Sequence, residues 1–172
     1  MSHSAATPDP QRVAEAARDA MWANDHACQA LGIQVLAVGP GTATLTMSVR
    51  RDMVNGHDIC HGGLIATLAD SAFAYACNAY NEVTVASGFA IDLLAPARLG
   101  EVLTARAHEV AKGGRTGVYD IEVTGPTGQR VAVFRGRSHT ARGKHLVDPA
   151  TDRKSTRLNS SHVALSRMPS SA

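Results

Sequence analysis

The stretch from Asn55 to Asn78 constrains the fold more than any other part of the chain. Its first half, Asn55-Gly56-His57-Asp58-Ile59-Cys60-His61-Gly62-Gly63, is polar and glycine-rich, and its second half is apolar nearly all round. Leu64, Ile65, Leu68, Ala69, Ala72, Phe73 and Ala76 recur at helical spacing, with alanine at most remaining positions. A helix of this kind needs neighbours on every side. Read from Gly63 to Asn78, it is about 24 Å long. One carboxylate, Asp70, sits in its middle with no Lys or Arg within a turn or two.

A carboxylate in that setting is costly unless it is hydrogen-bonded, shifted in pKa or used in chemistry. The glycine pair ahead of the helix offers bare N–H groups at the positive end of the helix dipole, a place to hold a developing oxyanion. Together they make a candidate hydrolytic centre. The structural alternatives are a carboxylate capping a buried network and a glycine pair that only permits close packing.

The strands before and after the helix set the fold class. Pro10 to about Ala30 reads as helical, with Val13, Ala16, Ala17, Ala20 and Met21 on one face and a break near Asn24. Ile33–Val38 and Thr42–Val49 read as a hairpin around Gly39-Pro40-Gly41. After Asn81 the period becomes two, giving strands at Val83–Leu94, Val102–Val110, Gly117–Thr124 and Arg130–His139, separated by turn residues. Tyr119, Ile121 and Val123 alternate with Asp120 and Glu122, as in a sheet wet on one face. Short connections predict a four-strand antiparallel meander after the helix. The expectation is an α+β fold in which the sheet curls around one buried helix.

The domain reading is an N-terminal helical segment over 1–30, one domain over 31–143 and a tail over 144–172. The tail is serine-rich with no sustained period. From Arg157 to Pro169 it is similar to tails that recur on unrelated translated sequences through adaptor or vector read-through. It is left out of the functional reading.

A net charge of +2, with scattered Lys and Arg and few aromatics, gives no nucleic-acid face. Cys28, Cys60 and Cys77 form no CxxC pair, which favours a reducing compartment. The first ten residues lack a basic and an apolar region, and no run is long enough to span a membrane, so the expectation is a soluble, cytoplasmic protein. His57 and His61, with Asp58 and Cys60, invite a metal reading. Their glycine-rich setting reads as loop and no Glu follows His57, so no metal site is expected. Cys60 as a nucleophile beside His61 is disfavoured because adjacent residues point apart. There is no Gly-x-Ser-x-Gly elbow, P-loop or dinucleotide fingerprint.

Asn55-Gly56-His57, Cys60-His61-Gly62-Gly63 and Leu68-Ala69-Asp70-Ser71-Ala72-Phe73 resemble the hotdog-fold acyl-CoA thioesterases of the phenylacetate-degradation (PaaI-type) family. The likeness continues through Ser87 to Ala97, Gly100 to Ala105, Thr116 to Ile121 and Phe134 to His139. It implies a long helix wrapped by an antiparallel sheet, and dimers or tetramers with active sites at the subunit interface. It also implies thioester hydrolysis without metal or cofactor, on phenylacetyl-CoA or its ring-hydroxylated forms. Asp70 would match the catalytic carboxylate, as general base or nucleophile, and Gly62 the oxyanion donor. Asn55 and His61 would match residues that position water or thioester. Gly63, Lys112, Arg115, Thr116 and Arg135 are the candidates for substrate contact, the basic ones for CoA phosphates.

Three rivals remain: a thioesterase for medium straight chains, a dehydratase or hydratase on acyl thioesters, and a non-catalytic acyl-CoA-binding protein. The second needs a histidine on the helix itself, which is absent after its first turn.

Overall fold

The structure is a computed structural model that describes residues 8–148. Of the tail expected over 144–172, residues 149–172 lie outside the described residues. Two short helices open the fold, α1 (Pro10–Trp22) and α2 (His26–Leu31). A hairpin of β1 (Gln34–Gly39) and β2 (Thr42–Ser48) follows, turning through Gly41 at a φ of +68°. A loop leads to α3 (Gly62–Cys77), then β3 (Glu82–Leu93), β4 (Val102–Gly113), β5 (Thr116–Thr124) and β6 (Arg130–His145).

The helix break expected near Asn24 falls between α1 and α2. Asp25 caps α2 by accepting the Cys28 N–H at 3.1 Å, and Gly32 ends it in the left-handed region. The buried face of α1 is Ala14 and Ala17, with Met21 and Trp22 packed beside them. Val13, Ala16 and Ala20 are only half-buried, so the face is rotated from the expected one. The Gln11 side chain ties α1 to β1 by donating to the Val38 carbonyl at 2.8 Å.

All strand pairs are antiparallel, in the order β1-β2-β4-β5-β6-β3. This corrects the expected four-strand meander. Only β4, β5 and β6 run in sequence, and β3 pairs with β6 at the far edge. The link from β3 to β4, residues 94–101, is no tight turn. It crosses the chain end of the barrel-like wrap past the start of α3. The Leu94 N–H donates to Val131 O, the Cys60 N–H to Ala97 O, and Gly100 and Glu101 pair with Val49. Ala97 is fully buried under this crossing. Placing β3 on the far side lets strands meet α3 from both flanks, which a simple meander of four strands does not do.

The sheet closes on α3 through Leu45, Met47, Leu103, Ala105, Tyr119, Ile121, Val123 and Phe134, all buried. On α3 the buried face is Ile65, Leu68, Ala69, Ala72, Phe73 and Ala76. Phe73 packs between Tyr119 and Phe134, with ring centroids 5.4 and 6.0 Å away. Gly136 makes room for it, since a Cβ there would lie 2.9 Å from the Phe73 ring.

The N-terminal helices cover a second flank of α3. Tyr75 donates its phenol to Asp25 at 3.0 Å, and Cys28 Sγ lies 3.2 Å from Ser71 Oγ. Burial and the Asp25 carboxylate push the Cys28 thiol up to about 12, so it stays protonated and inert. Tyr75→Phe is expected to cost about 1.5–3 kcal/mol in urea unfolding, because it strips a charged acceptor of its donor.

Candidate active site

His61 organises the start of α3. It is the N-cap residue, and its Nδ1 accepts the Gly63 N–H at 3.1 Å. That bond leaves the ring hydrogen on Nε2. Its carbonyl takes the Leu64 and Ile65 N–H groups at 2.9 and 3.4 Å. With the His61 N–H donating to Met53 O at 2.8 Å, three of the four free donors of the helix start are used. The Gly62 N–H is left, and no acceptor among the described residues takes it. The sequence offered two glycine donors; the structure leaves one open and commits Gly63 to the cap.

Asn55 stands in the loop ahead of the helix. Its Oδ1 accepts the His57 N–H at 2.9 Å and its backbone N–H donates to Ile59 O at 2.9 Å. Asp58, at a φ of +56°, completes this turn, and Val54 bridges to Cys60 across its base. The Asn55 carbonyl is therefore structural. Its Nδ2 has no acceptor among the described residues and is available to a ligand. His57 and His61 are both exposed, and Cys60 is buried with its thiol pKa raised by burial. Among the described residues, no three His, Cys, Asp or Glu side chains converge as a metal site.

Asp70 lies in the third turn of α3, half-buried, with no hydrogen bond or ion pair to a described residue. Burial holds its pKa above the usual carboxylate range. At about 100° per residue, Gly63, Ala66, Thr67, Asp70 and Ala74 form the one face of α3 that neither the sheet nor α2 covers. This face is small-sided except for Asp70.

Gly62 and Asp70 do not meet within one chain. Eight residues separate them, about 12 Å along the axis. The free N–H at a helix start points outward past the first turn, away from Asp70. A carbonyl held by Gly62 therefore lies farther still from the same chain's carboxylate.

The expected phosphate contacts lie elsewhere. Lys112 sits by the C-terminal end of α3, its Nζ 3.1 Å from Glu82 and 4.1 Å from the centre of the Tyr80 ring. Arg135 grips Asp120 with two bonds of 2.6 Å on the outer face of the sheet, which holds its carboxylate partner below the usual range. A cavity of ≈ 330 Å³ there, lined by Asp92, His108, Asp120, Glu122, Arg130 and Arg135, is on the face turned away from α3. Arg115 touches the His139 ring, and both it and Thr116 are exposed without a carboxylate partner among the described residues.

The sequence reading passed over the inner face of β3. Phe89 stacks on Phe134 with centroids 4.8 Å apart and is still 48% exposed, and Leu93 lies against Gly62 at 52% exposure. Val85, opposite His139, is exposed on the outer face. β3 is an open sheet edge with an apolar face, whereas α1 packs over β1 at the other edge. The alternation of Phe89, Ile91 and Leu93 was the available signal.

A single helix held in a six-stranded antiparallel wrap, with a carboxylate in its middle and a bare N–H at its start, defines a hotdog-fold protein. The chain belongs to the thioesterase superfamily, whose profile matches residues 57–132. It is 48% identical over 124 residues to the acyl-coenzyme A thioesterase PaaI of Escherichia coli, covering 72% of this chain and 89% of that one. The solved structure of the E. coli PaaI protein from the phenylacetic acid degradation operon superposes with a TM-score of 0.78 at 44% identity, over 79% of this chain and 99% of that one. A Streptococcus mutans protein solved bound to acetyl-CoA gives a TM-score of 0.63 at 26% identity, over 66% of this chain and 90% of that one. No helix among the described residues is long and apolar enough to cross a membrane.

Proposed function

We propose that this protein hydrolyses aryl acyl-CoA thioesters, phenylacetyl-CoA or its ring-hydroxylated forms, to the free acid and CoA. The observation that carries the chemistry is the pair formed by the open Gly62 N–H and the half-buried Asp70, neither with a hydrogen-bond partner among the described residues. Asp70 takes a proton from water as the oxygen attacks the thioester carbonyl. The Gly62 N–H receives the oxyanion, and the tetrahedral intermediate collapses by expelling the CoA thiolate, which leaves readily. Asn55 Nδ2 and His61 Nε2 are the donors proposed to orient water and thioester. The aryl preference is supported by the likeness to PaaI over most of both chains.

Each site is proposed to combine Gly62 of one copy with Asp70 of another. The free β3 edge and its exposed Phe89 support a seam formed by a second copy, giving a homodimer or a tetramer of such pairs. Arg115 and Thr116 are proposed as the first contacts for CoA phosphates, because Lys112 and Arg135 already hold carboxylates. A cytoplasmic location agrees with three free, buried cysteines.

The test is thiol release from a panel of acyl-CoAs, followed with a thiol-reactive dye, with sedimentation velocity on the same preparation. The expected result is fastest turnover on phenylacetyl-CoA by a species of at least two chains. Faster turnover of medium straight chains would move the substrate assignment to them. Tight acyl-CoA binding with no thiol release would leave a binding protein. An active 18 kDa monomer would remove the shared site.

A further inference from the structure

We infer that Leu93 is a specificity-determining residue, walling the space before the Gly62 N–H and selecting acyl groups by their bulk next to the thioester carbonyl. This rests on the reading of Gly62 as the donor that holds that carbonyl.

The helix-start glycine is not required by its backbone. Gly62 is absent from the positive-φ glycines, so an L-residue fits its conformation. What crowds a side chain there is the flexible end of Leu93. A Cβ on Gly62 would lie 2.5 Å from Leu93 Cδ1 and 3.8 Å from its Cγ. The leucine methyl thus crowds the volume that a side chain at 62 would take.

Strand alternation explains why this side chain reaches α3. Asp92 lines the cavity on the outer face, so Ile91 and Leu93 face inward. Ile91 packs against the core, while Leu93 is 52% exposed, one side on the helix start and the other open. Its cross-strand partner is Ala132, which is fully buried and too small to share the space.

The chemistry follows from that placement. An acyl carbonyl accepting the Gly62 N–H at hydrogen-bonding distance brings its α-carbon into contact with the leucine methyls. A short acyl group passes this wall. An aryl group must lie against it, and its fit depends on the residue at 93. Such a wall discriminates by shape, since it carries no polar group to pair or to leave unpaired.

The test compares wild type, Leu93→Ala and Leu93→Phe for kcat/KM on acetyl-CoA and phenylacetyl-CoA, with sedimentation velocity on each preparation. In Leu93→Phe the phenylacetyl-to-acetyl ratio is expected to fall about tenfold or more, and in Leu93→Ala to rise several-fold, the scale of small steric changes in an apolar pocket. The sedimenting species is expected to stay the same. A ratio within about twofold of wild type in both variants overturns the inference while leaving the thioesterase reading intact. So does an equal fall on both substrates with loss of the assembled species, which makes Leu93 a seal between copies. If wild type releases no thiol from any acyl-CoA, the carbonyl-binding role of Gly62 fails first and this role falls with it.

Discussion

Asp70→Asn is expected to keep the fold and lower thioester turnover by about a hundredfold or more, the low end of what a general base contributes. Asparagine matches aspartate in size and shape but takes no proton. Among the described residues the carboxylate has no partner whose loss would disturb the packing. Acyl-CoA binding is expected to survive, because the helix-start donor does not involve Asp70. Thermal melting and turnover on one preparation check both halves. Normal melting with turnover near the wild-type rate would remove Asp70 from the chemistry.

The same substitution carries a pH signature. Burial raises the Asp70 pKa in the folded chain above its unfolded value of about 3.9. The folded state then holds the proton more tightly than the unfolded state. The stability cost of the ionised group therefore develops as pH rises from about 3.9 through the folded pKa, and is complete above it. Asp70→Asn is expected to melt higher than wild type at neutral pH, with the difference closing as pH falls toward about 3.9. In wild type the acid limb of the kcat profile is expected above the ordinary carboxylate range for the same reason.

Gly62→Pro is expected to cost about 10²–10³ in kcat, because it deletes one oxyanion donor. Proline suits the first position of a helix, and His61, at φ −61° and ψ 127°, has the extended conformation that a following proline requires. The flexible end of Leu93 must rotate away from the ring. The decisive measurement is a mixture. Gly62→Pro chains keep Asp70, and Asp70→Asn chains keep the Gly62 donor. If each site draws one group from each of two copies, random association in co-expressed material makes about a quarter of all sites intact. Activity is expected to recover to about that fraction of wild type, far above either parent. A mixture no more active than its parents would place both groups in one chain's site.

The sequence was legible where chemistry follows from neighbours along the chain. Asp70 stood out because an apolar helix surrounds it, and the Tyr119-Ile121-Val123 alternation told which face of β5 is buried. Residues whose meaning depends on distant partners were not legible. Arg135 looked free for a phosphate until the β5–β6 register set it opposite Asp120. Lys112 depends on Glu82, thirty residues away. Leu93 read as one more strand residue, because its contact is with Gly62 across the fold. The strand order failed for a related reason: short links favour adjacent strands, but residues 94–101 are tied down by backbone bonds to Val49, Cys60 and Val131 instead.

The open edge at β3 has a cost for any form of this protein that stays single. A row of unpaired backbone donors and acceptors beside Phe89 and Leu93 is a template for strand addition by whatever chain arrives. If a second copy covers this edge, dilution, a bulky fusion near β3 or slow synthesis exposes an aggregation seed. A soluble monomer would need that edge blunted, with a lysine or a proline on β3, before its catalytic groups were touched.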